Sequence, residues 1–494
     1  MLTPAEMKAV DEAASVATEV LIGRAGAAVA RAALRQLGGG YGRRVVVVAG
    51  KGNNGADGRV AAEHLRRAGV RVTVIEAAGN DTAGASSGSE AGSGRAGRPP
   101  EGARRGADGR RLPACDLVID AAYGTGFRGQ YEAPDPGGAP VLSVDIPSGV
   151  DGLTGEAGPG AVAADLTVTF AVLKPGLVLG GGPERAGRVD VVDIGLPVGA
   201  CSVHVVEDAD VAGGLPRRSR DSHKWNAAVF VAAGSPGMTG APQLVGRGAF
   251  RAGASTVRLG VPGALLEDLP ATEAVGIALP DKEWAATVIE AASRCQAIVV
   301  GPGLGRSDLV LGEVRRLVTD SPVPLVIDAD ALGVFADAAD VPSAKSPMVL
   351  TPHAGEFERL SGSKPGPDRI GDVRALAERT GATVLLKGPT TVVASPEGEV
   401  LLSTSGSARL ATAGSGDVLA GVVGAFVAQG LPPPQAAAFA AHVHGAAASL
   451  GLEHGLVAGD LPELIARWLS EIPFRVHSGR KSPAMYSKRK GSRG

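Results

Sequence analysis

Large aromatic side chains are scarce in this chain: nine Phe, four Tyr and three Trp amount to 3% of its residues. Its cores must therefore be filled by Ala, Val, Leu and Ile. Cysteine is scarcer still. Cys115, Cys201 and Cys295 lie far apart, form no CxxC pair and cannot make an even disulfide set. That excludes a disulfide scaffold and a cysteine-based metal site, and points to a reducing, cytoplasmic setting. Neither sign of charge dominates, since the net charge is −2. Such a balance gives no support to a nucleic-acid or membrane-surface role for the whole chain. No apolar run is long enough to span a bilayer: VLAGVVGAFVAQGL at 418–431 is too short and carries internal glycines. The amino terminus, MLTPAEMKAVDEAA, has early acids and no apolar stretch, so it does not read as a signal peptide.

What the chain has in quantity is glycine, 73 residues of it, and short apolar runs. Its 494 residues exceed what one core can use, so two or three domains are expected. In the first half the runs are RVVVVAG, RVTVIEA, DLVIDAA, VLSVDIP, LTVTFAVL and RVDVVDIG. Runs apolar on both faces suit buried parallel strands covered by helices, and Ala56–Ala68 has helical spacing. Residues 79–112, rich in Gly, Ser and Arg, cannot bury enough surface to order and read as a disordered insertion. A second series, AVFVAAG, STVRLGVP, AIVVGPG, PLVIDAD, PMVLTPH, ATVLLKG and EVLLST, follows a junction near 205–222. Two helices broken at GLPPP close it. The chain thus reads as two α/β domains, 1–214 and 215–474, with a disordered basic tail at 475–494.

In open α/β sheets ligands sit at the carboxyl ends of strands, so the strand-end loops are where chemistry is sought. The first strand ends in GKGNNGADG (50–58), whose glycines and following helix can hold a phosphate. It is not a P-loop, because no GxxxxGK[ST] passes through it. The third ends in DAAYGTGFRGQ; GTGFRG matches GxGxxG by letter, but no helix follows, so the dinucleotide fingerprint fails. The fourth ends in DIPSGVDG, where Asp145 is either a general base or a turn-capping residue. In the second half, TAGSGDVLAG opens a helix. Gly414, Ser415 and Gly416 amides can converge on an oxyanion there, beside Asp417. A carboxylate beside a phosphate grip can accept a hydroxyl proton in phosphoryl transfer; an Asp in the first turn after flexible glycines is the plainer reading. His442 and His444, two apart on a helix, face different ways and read as structural.

Taken together, GKGNNGADG, VIDAAYGTGFRG, VDIPSGVDG and TFAVLKPG resemble the YjeF N-terminal, NAD(P)HX epimerase family over about 1–200. The resemblance implies a Rossmann-like three-layer domain. In it Asn53, Asn54, Gly55, Ala56 and Asp57, with Gly124, Thr125, Gly126, Phe127, Arg128, Gly129 and Gln130, bind the hydrated dinucleotide. Asp145 would be the acid/base group, and Asn54, Asp120 and Ser148 would hold K+. Ala56 stands where that family usually has glycine. IDADAL, LTPHAGEFERL, LKGPTTVV and TAGSGDVLAG resemble the ribokinase-like fold over about 215–470, and within it the ADP-dependent NAD(P)HX dehydratases. That resemblance implies that Lys387, Gly388, Pro389, Thr390, Thr391 and Gly416 bind the adenine nucleotide, with Mg2+. Gly303, His353 and Asp417 would contact the hydrated dinucleotide, and Asp417 would deprotonate its C6 hydroxyl for attack on ADP. HKWN (223–226) departs from a His-Lys-Gly pattern, and Trp225 is expected to crowd a ligand there.

The expected function is therefore repair of NADHX and NADPHX: interconversion of R and S epimers, then dehydration of the S form with ADP. The expected partners are small molecules, with no membrane and no nucleic acid; a homo-oligomer is compatible with the sequence. The alternatives are a small-molecule kinase with a non-catalytic first domain, or a basic tail that contacts RNA.

Overall fold

The computed structural model describes residues 1–77, 111–269 and 272–477, and divides into two compact units, the second beginning at Ser202. Among the described residues no helix is long and apolar enough to cross a membrane, and none of the three cysteines is in a disulfide.

The first unit holds six parallel strands: β1 (Arg44–Ala49), β2 (Arg71–Glu76), β3 (Leu117–Ala121), β4 (Val141–Val144), β5 (Leu166–Phe170) and β6 (Arg188–Val192). Their order is β2-β1-β3-β4-β5-β6. Helices α1 (Pro4–Ala13), α2 (Thr18–Leu37) and α3 (Asn53–Arg67) share a core with Val45, Val47, Ile119, Val144 and Val168 from one sheet face. The other face carries Val46, Val48 and Val118 and is covered by loop side chains, among them Leu112, Tyr131 and Val162. A short helix, α4 (Gly182–Ala186), leads into β6.

The second unit is built on ten strands: β7 (Val203–Val205), β8 (Ala228–Ala232), β9 (Thr256–Pro262), β10 (Val275–Leu279), β11 (Ala297–Val300), β12 (Leu325–Ile327), β13 (Met348–Leu350), β14 (Thr383–Leu386), β15 (Thr391–Ala394) and β16 (Val400–Ser403). The order is β10-β9-β8-β11-β12-β13-β14-β15-β16-β7, and β15 alone runs antiparallel to its neighbours. The helices are α5 (Asp208–Gly214), α6 (Gly240–Arg251), α7 (Trp284–Ala291), α8 (Asp308–Asp320), α9 (Ala354–Ser361), α10 (Arg369–Thr380), α11 (Ser415–Ala428), α12 (Pro433–Ala448) and α13 (Leu461–His477). Helices α6, α11, α12 and α13 form one continuous core with Val229, Val231, Val257 and Val299. Helix α10 packs on β14 and β15, and α7 on β8 and β10.

Small residues replace the missing aromatics by letting backbones meet. A Cβ at Gly421 would lie 2.1 Å from the Val245 carbonyl, and one at Gly248 would lie 2.5 Å from that of Val418. Helices α6 and α11 therefore approach at glycine contacts, and α11, buried all along its last eleven residues, sits flat on the sheet. Two of the three tryptophans, Trp284 and Trp468, are fully buried.

Three boundaries differ from the sequence expectation. The second unit starts at Ser202 rather than after Gly214, because β7 pairs in parallel with β16 and α5 packs on α13. The insertion ends before Leu112, which is buried and donates its amide to the Asp135 carbonyl; residues 79–110 lie outside the described residues. Helix α13 runs to His477, so the tail of 475–494 begins as helix, and 478–494 lie outside the described residues.

Candidate active sites

In the first unit the functional side chains converge at the carboxyl ends of β1, β3, β4 and β5. GNNGAD is the opening of α3 rather than a loop: Gly52 is the N-cap and Asn53 the first helical residue. A Cβ at Gly55 would lie 1.9 Å from the Gly50 carbonyl, so glycine is required where this helix folds back on the strand end. Ala56 has no such restriction. It is helical, with no positive φ, so its methyl leaves the turn intact.

Asp145 directly follows β4 and has φ 67°, a left-handed conformation rare for a residue with a Cβ. Such strain persists where surrounding structure over-determines it, most often at functional sites. What holds Asp145 is Lys174, 2% exposed, whose ammonium lies 2.6 Å from Asp145 Oδ1. Lys174 also donates to Thr169 Oγ1 and the Phe170 carbonyl, and Thr169 in turn donates to Asp145. Asp57, on the first turns of α3, is buried, and its carboxyl has no hydrogen-bond partner among the described residues. Burial, and then the Asp145 charge, push its carboxyl up to about 8. Burial also raises Asp11, on α1, which feels both Lys174 and Asp145. Lys174 stands in the TFAVLKPG stretch, but it received no role; a lysine just after an apolar strand was the available signal.

Asn54, Asp120 and Ser148 do come together. Asp120 is buried and accepts from Ser143 Oγ, Ser148 Oγ, the Ser148 amide and the Ala122 amide. Burial raises its carboxyl and those hydrogen bonds oppose the rise. Asn54 Nδ2 donates to the Tyr123 carbonyl, and Ser148 Oγ accepts from the Tyr123 amide. The group offers amide, carboxylate, hydroxyl and carbonyl oxygens with one formal negative charge. Such a set fits a hard monovalent cation. Ser148 faces Asp120, not Asp145. In the neighbouring loop the Tyr123 and Phe127 rings meet tilted, their centroids 4.4 Å apart, while Arg128 binds its own loop carbonyls and lies 3.5 Å from Asp151. No helix follows GTGFRG before β4.

In the second unit TAGSGD is a helix start. Gly414 is the N-cap in a left-handed conformation, φ 86°, and Asp417 is the third residue of α11. First-turn amides have no intrahelical acceptor, so those of Gly416 and Asp417 face the site. A Cβ at Gly416 would lie 3.4 Å from Lys387 Nζ, so the ammonium lies directly over this turn. Lys387 pairs with Asp328, 2.5 Å away and 1% exposed, which also accepts from Thr351 Oγ1. Burial, then Asp328, raise the Asp417 carboxyl to about 6; Lys387 pulls it down and Asp330 pushes it up. Asp328 and Asp330 lie in the IDADAL stretch and carried no role in the sequence reading.

The Lys387 amide donates to the Pro352 carbonyl, which brings the TPH loop beside KGPTT. His353 is the N-cap of α9: Nδ1 accepts the amides of Gly355 and Glu356, while Glu356 accepts the His353 amide. With Nδ1 accepting two amides, a ring proton sits on Nε2, which lies 3.4 Å from Glu356 Oε1. Gly388 and Thr391 close the turn before β15, with Thr391 Oγ1 donating to the Gly388 carbonyl. Gly303, φ 69°, lies against Ala241 at the start of α6.

His442 is paired with Asp208 at 2.8 Å. His444 is buried beneath α11, and burial lowers its pKa to about 4, so it is neutral against Lys387. Trp225 corrects an expectation. It lies before the amino end of β8, at the opposite end of the strands from Lys387 and Asp417, with Arg294 over its ring at 4.0 Å, so it does not crowd them.

Two family models match the chain: a YjeF-related protein N-terminus over residues 18–176 and an NAD(P)H-hydrate dehydratase over 229–471. Bifunctional NAD(P)H-hydrate repair enzymes match nearly end to end. The Moorella thermoacetica protein is 35% identical over 97% of this chain and 98% of its own. The chain belongs to this family. The Salinibacter ruber relative is 37% identical over 88% of this chain and 89% of its own. Among solved structures, the ADP/ATP-dependent NAD(P)H-hydrate dehydratase from Bacillus subtilis, co-crystallised with ATP and Mg2+, is 30% identical. It covers 55% of this chain and all of its own, with TM-score 0.48.

Proposed function

We propose that the two strand-end clusters divide the work of an NAD(P)H-hydrate repair enzyme, the first epimerising NAD(P)HX and the second dehydrating the S epimer with ADP. The observation that carries the second role is Asp417 in the first turn of α11, next to Gly416, under the Lys387 ammonium.

The terminal phosphates of ADP rest on the amides of that turn and on Lys387, with the rest of the nucleotide along Gly388 to Thr391. Asp417, raised to about 6, is ionised at neutral pH yet basic enough to take the C6 hydroxyl proton. The C6 oxygen attacks the terminal phosphorus of ADP, and AMP leaves. Loss of the C6 phosphate together with a C5 proton then restores the ring double bond. Water alone cannot do this well, because hydroxide is a poor leaving group and phosphate a good one. His353 contacts the substrate. Mg2+ comes with the nucleotide and would be held chiefly by its phosphates, since Asp328, Asp330 and Asp417 form no three-ligand metal cluster among the described residues; bound there, it would offset charge on the transferred phosphoryl group.

In the first unit C6 of the substrate bears both a hydroxyl and the ring nitrogen. Its inversion needs a group that takes and returns a proton. Asp145 does so, oriented by Lys174 and Thr169. Asn54, Asp120 and Ser148 would hold K+, whose charge would steady the loop that carries Tyr123 and Gly124.

The test is to incubate mixed R and S NADPHX with ADP and Mg2+ and follow NADPH absorbance. Recovery of both epimers is expected. No ADP-dependent recovery would refute the dehydration, and recovery stopping at the S fraction would refute the epimerisation.

A further inference from the structure

The loop that leads into β8 takes no part in this chemistry, yet most of its residues between Pro216 and Ala227, though not Arg220, Asp221 or Trp225, line a cavity of about 410 Å³ with Gly253, Ser255 and Gln429. It opens at the amino ends of β8 and β9 and past the carboxyl ends of α6 and α11. The dehydratase groups gather at the opposite, carboxyl ends of the strands. Arg217, Arg218, His223 and Lys224 all line the cavity, and no Asp or Glu does. Among the described residues the Arg217 and Lys224 side chains have neither an ion-pair nor a hydrogen-bond partner. Arg218 spends one Nη2–H on the Gly253 carbonyl at 2.9 Å and keeps the rest of its fork. Ser219 and Ser222 share one hydrogen bond at 3.3 Å, which leaves a hydroxyl proton to donate. Trp225 anchors the loop under Arg294, with the Lys224 ammonium 5.9 Å from the same ring.

Arg217, Arg218 and Lys224 carry no ion pair among the described residues and stand exposed around one concavity, so an anion that enters can meet all three. Guanidinium forks match phosphate oxygens two at a time. The volume falls in the range of small-ligand sites. A nucleic-acid strand would need a groove open at both ends to track its backbone.

We propose that this cavity is a second anion site, remote from the dehydratase centre, that binds a phosphorylated small molecule bearing two or more negative charges.

The test is calorimetric titration of the full chain with inorganic phosphate, pyrophosphate and AMP. Wild type is compared with Arg217→Ala/Lys224→Ala and with Arg220→Ala, whose residue shares the loop but does not line the cavity. Because every variant keeps the catalytic groups, the difference between titrations isolates this site. The double variant should lose one class of binding, or bind about tenfold more weakly, while Arg220→Ala matches wild type. Tighter pyrophosphate than AMP identifies an inorganic ligand, and the reverse a nucleotide. ADP-driven NADPH formation without added phosphate, pyrophosphate or AMP should be equal in all three proteins. Superimposable titrations, or equal weakening by Arg220→Ala, overturn the proposal, as does binding of single-stranded RNA with none of the three small anions. If the double variant does not fold, Arg217→Gln and Lys224→Gln singly carry the same expectations.

Discussion

The two units place a carboxylate at the carboxyl end of a parallel sheet in opposite ways. Asp145 sits in a strained turn after a strand and is gripped by a buried ammonium 2.6 Å away. Asp417 sits unstrained in the first turn of a buried helix, and its nearest ammonium, Lys387, is taken up by a different acid, Asp328. One carboxylate is set by a contact pair and backbone strain, the other by burial among like charges. The lesson is that a lysine near an acid does not by itself fix the acid's behaviour. Whether a third group has already claimed the lysine decides it.

The largest effects should come from removing each carboxylate. Asp417→Asn should lower ADP-dependent dehydration of S-NADPHX by about 10²–10⁴-fold and leave epimerisation intact. Asp145→Asn should do the reverse, with R-epimer consumption as the readout. Loss of both activities in either variant would break the comparison.

Next is the contact pair. Lys174→Met removes the buried partner of Asp145, so epimerisation should fall about a hundredfold, and the melting temperature should drop because a half-buried carboxylate is left unpaired. Dehydration should not change. An unaffected epimerase rate would mean that strain alone sets Asp145.

The pH profile sharpens the contrast. Asp417 must be ionised to accept the hydroxyl proton, so kcat for dehydration should decline as pH falls through about 6. A rate flat down to pH 5 would remove Asp417 as the base.

A smaller effect concerns stability. The Asp57 carboxyl is raised from 3.8 to about 8, so the folded state prefers it protonated. That preference stabilises the fold at low pH and is lost as pH rises across this window. Asp57→Asn should therefore raise the melting temperature by about 2–4 °C at pH 9 and hardly change it at pH 4, as thermal unfolding would record. The smallest is Ala56→Gly. It should cost about 1 kcal/mol of helix propensity and give no gain in epimerase rate, because the helical backbone at Ala56 asks nothing of glycine.

Much of this was legible. Every long Val- and Ile-rich run became a strand, and the two closing helices formed on either side of GLPPP. What was missed was short or weakly patterned. Strand β7 has three residues, β10 is largely exposed, and β15 lies within a stretch read only as a nucleotide loop. The edge strands β7 and β10 bury too little to leave a period-two signal, while β15 is interior and buried but only four residues long. Helix α3 began at Asn53, earlier than the apolar spacing indicated, because a helix's first turn is set by its glycine cap and not by core contacts.

The sequence by itself determined which residues lie at strand ends: glycine and polar punctuation after an apolar run marks where a buried strand must stop. It also determined the identity of the two carboxylates and of the GSGD turn, since these are local patterns. Only the tertiary structure decided what those carboxylates feel. Lys387 and Asp328 are 59 residues apart, and Lys174 reaches Asp145 from the end of another strand. Burial and long-range charge are properties of packing, and no local spacing encodes them.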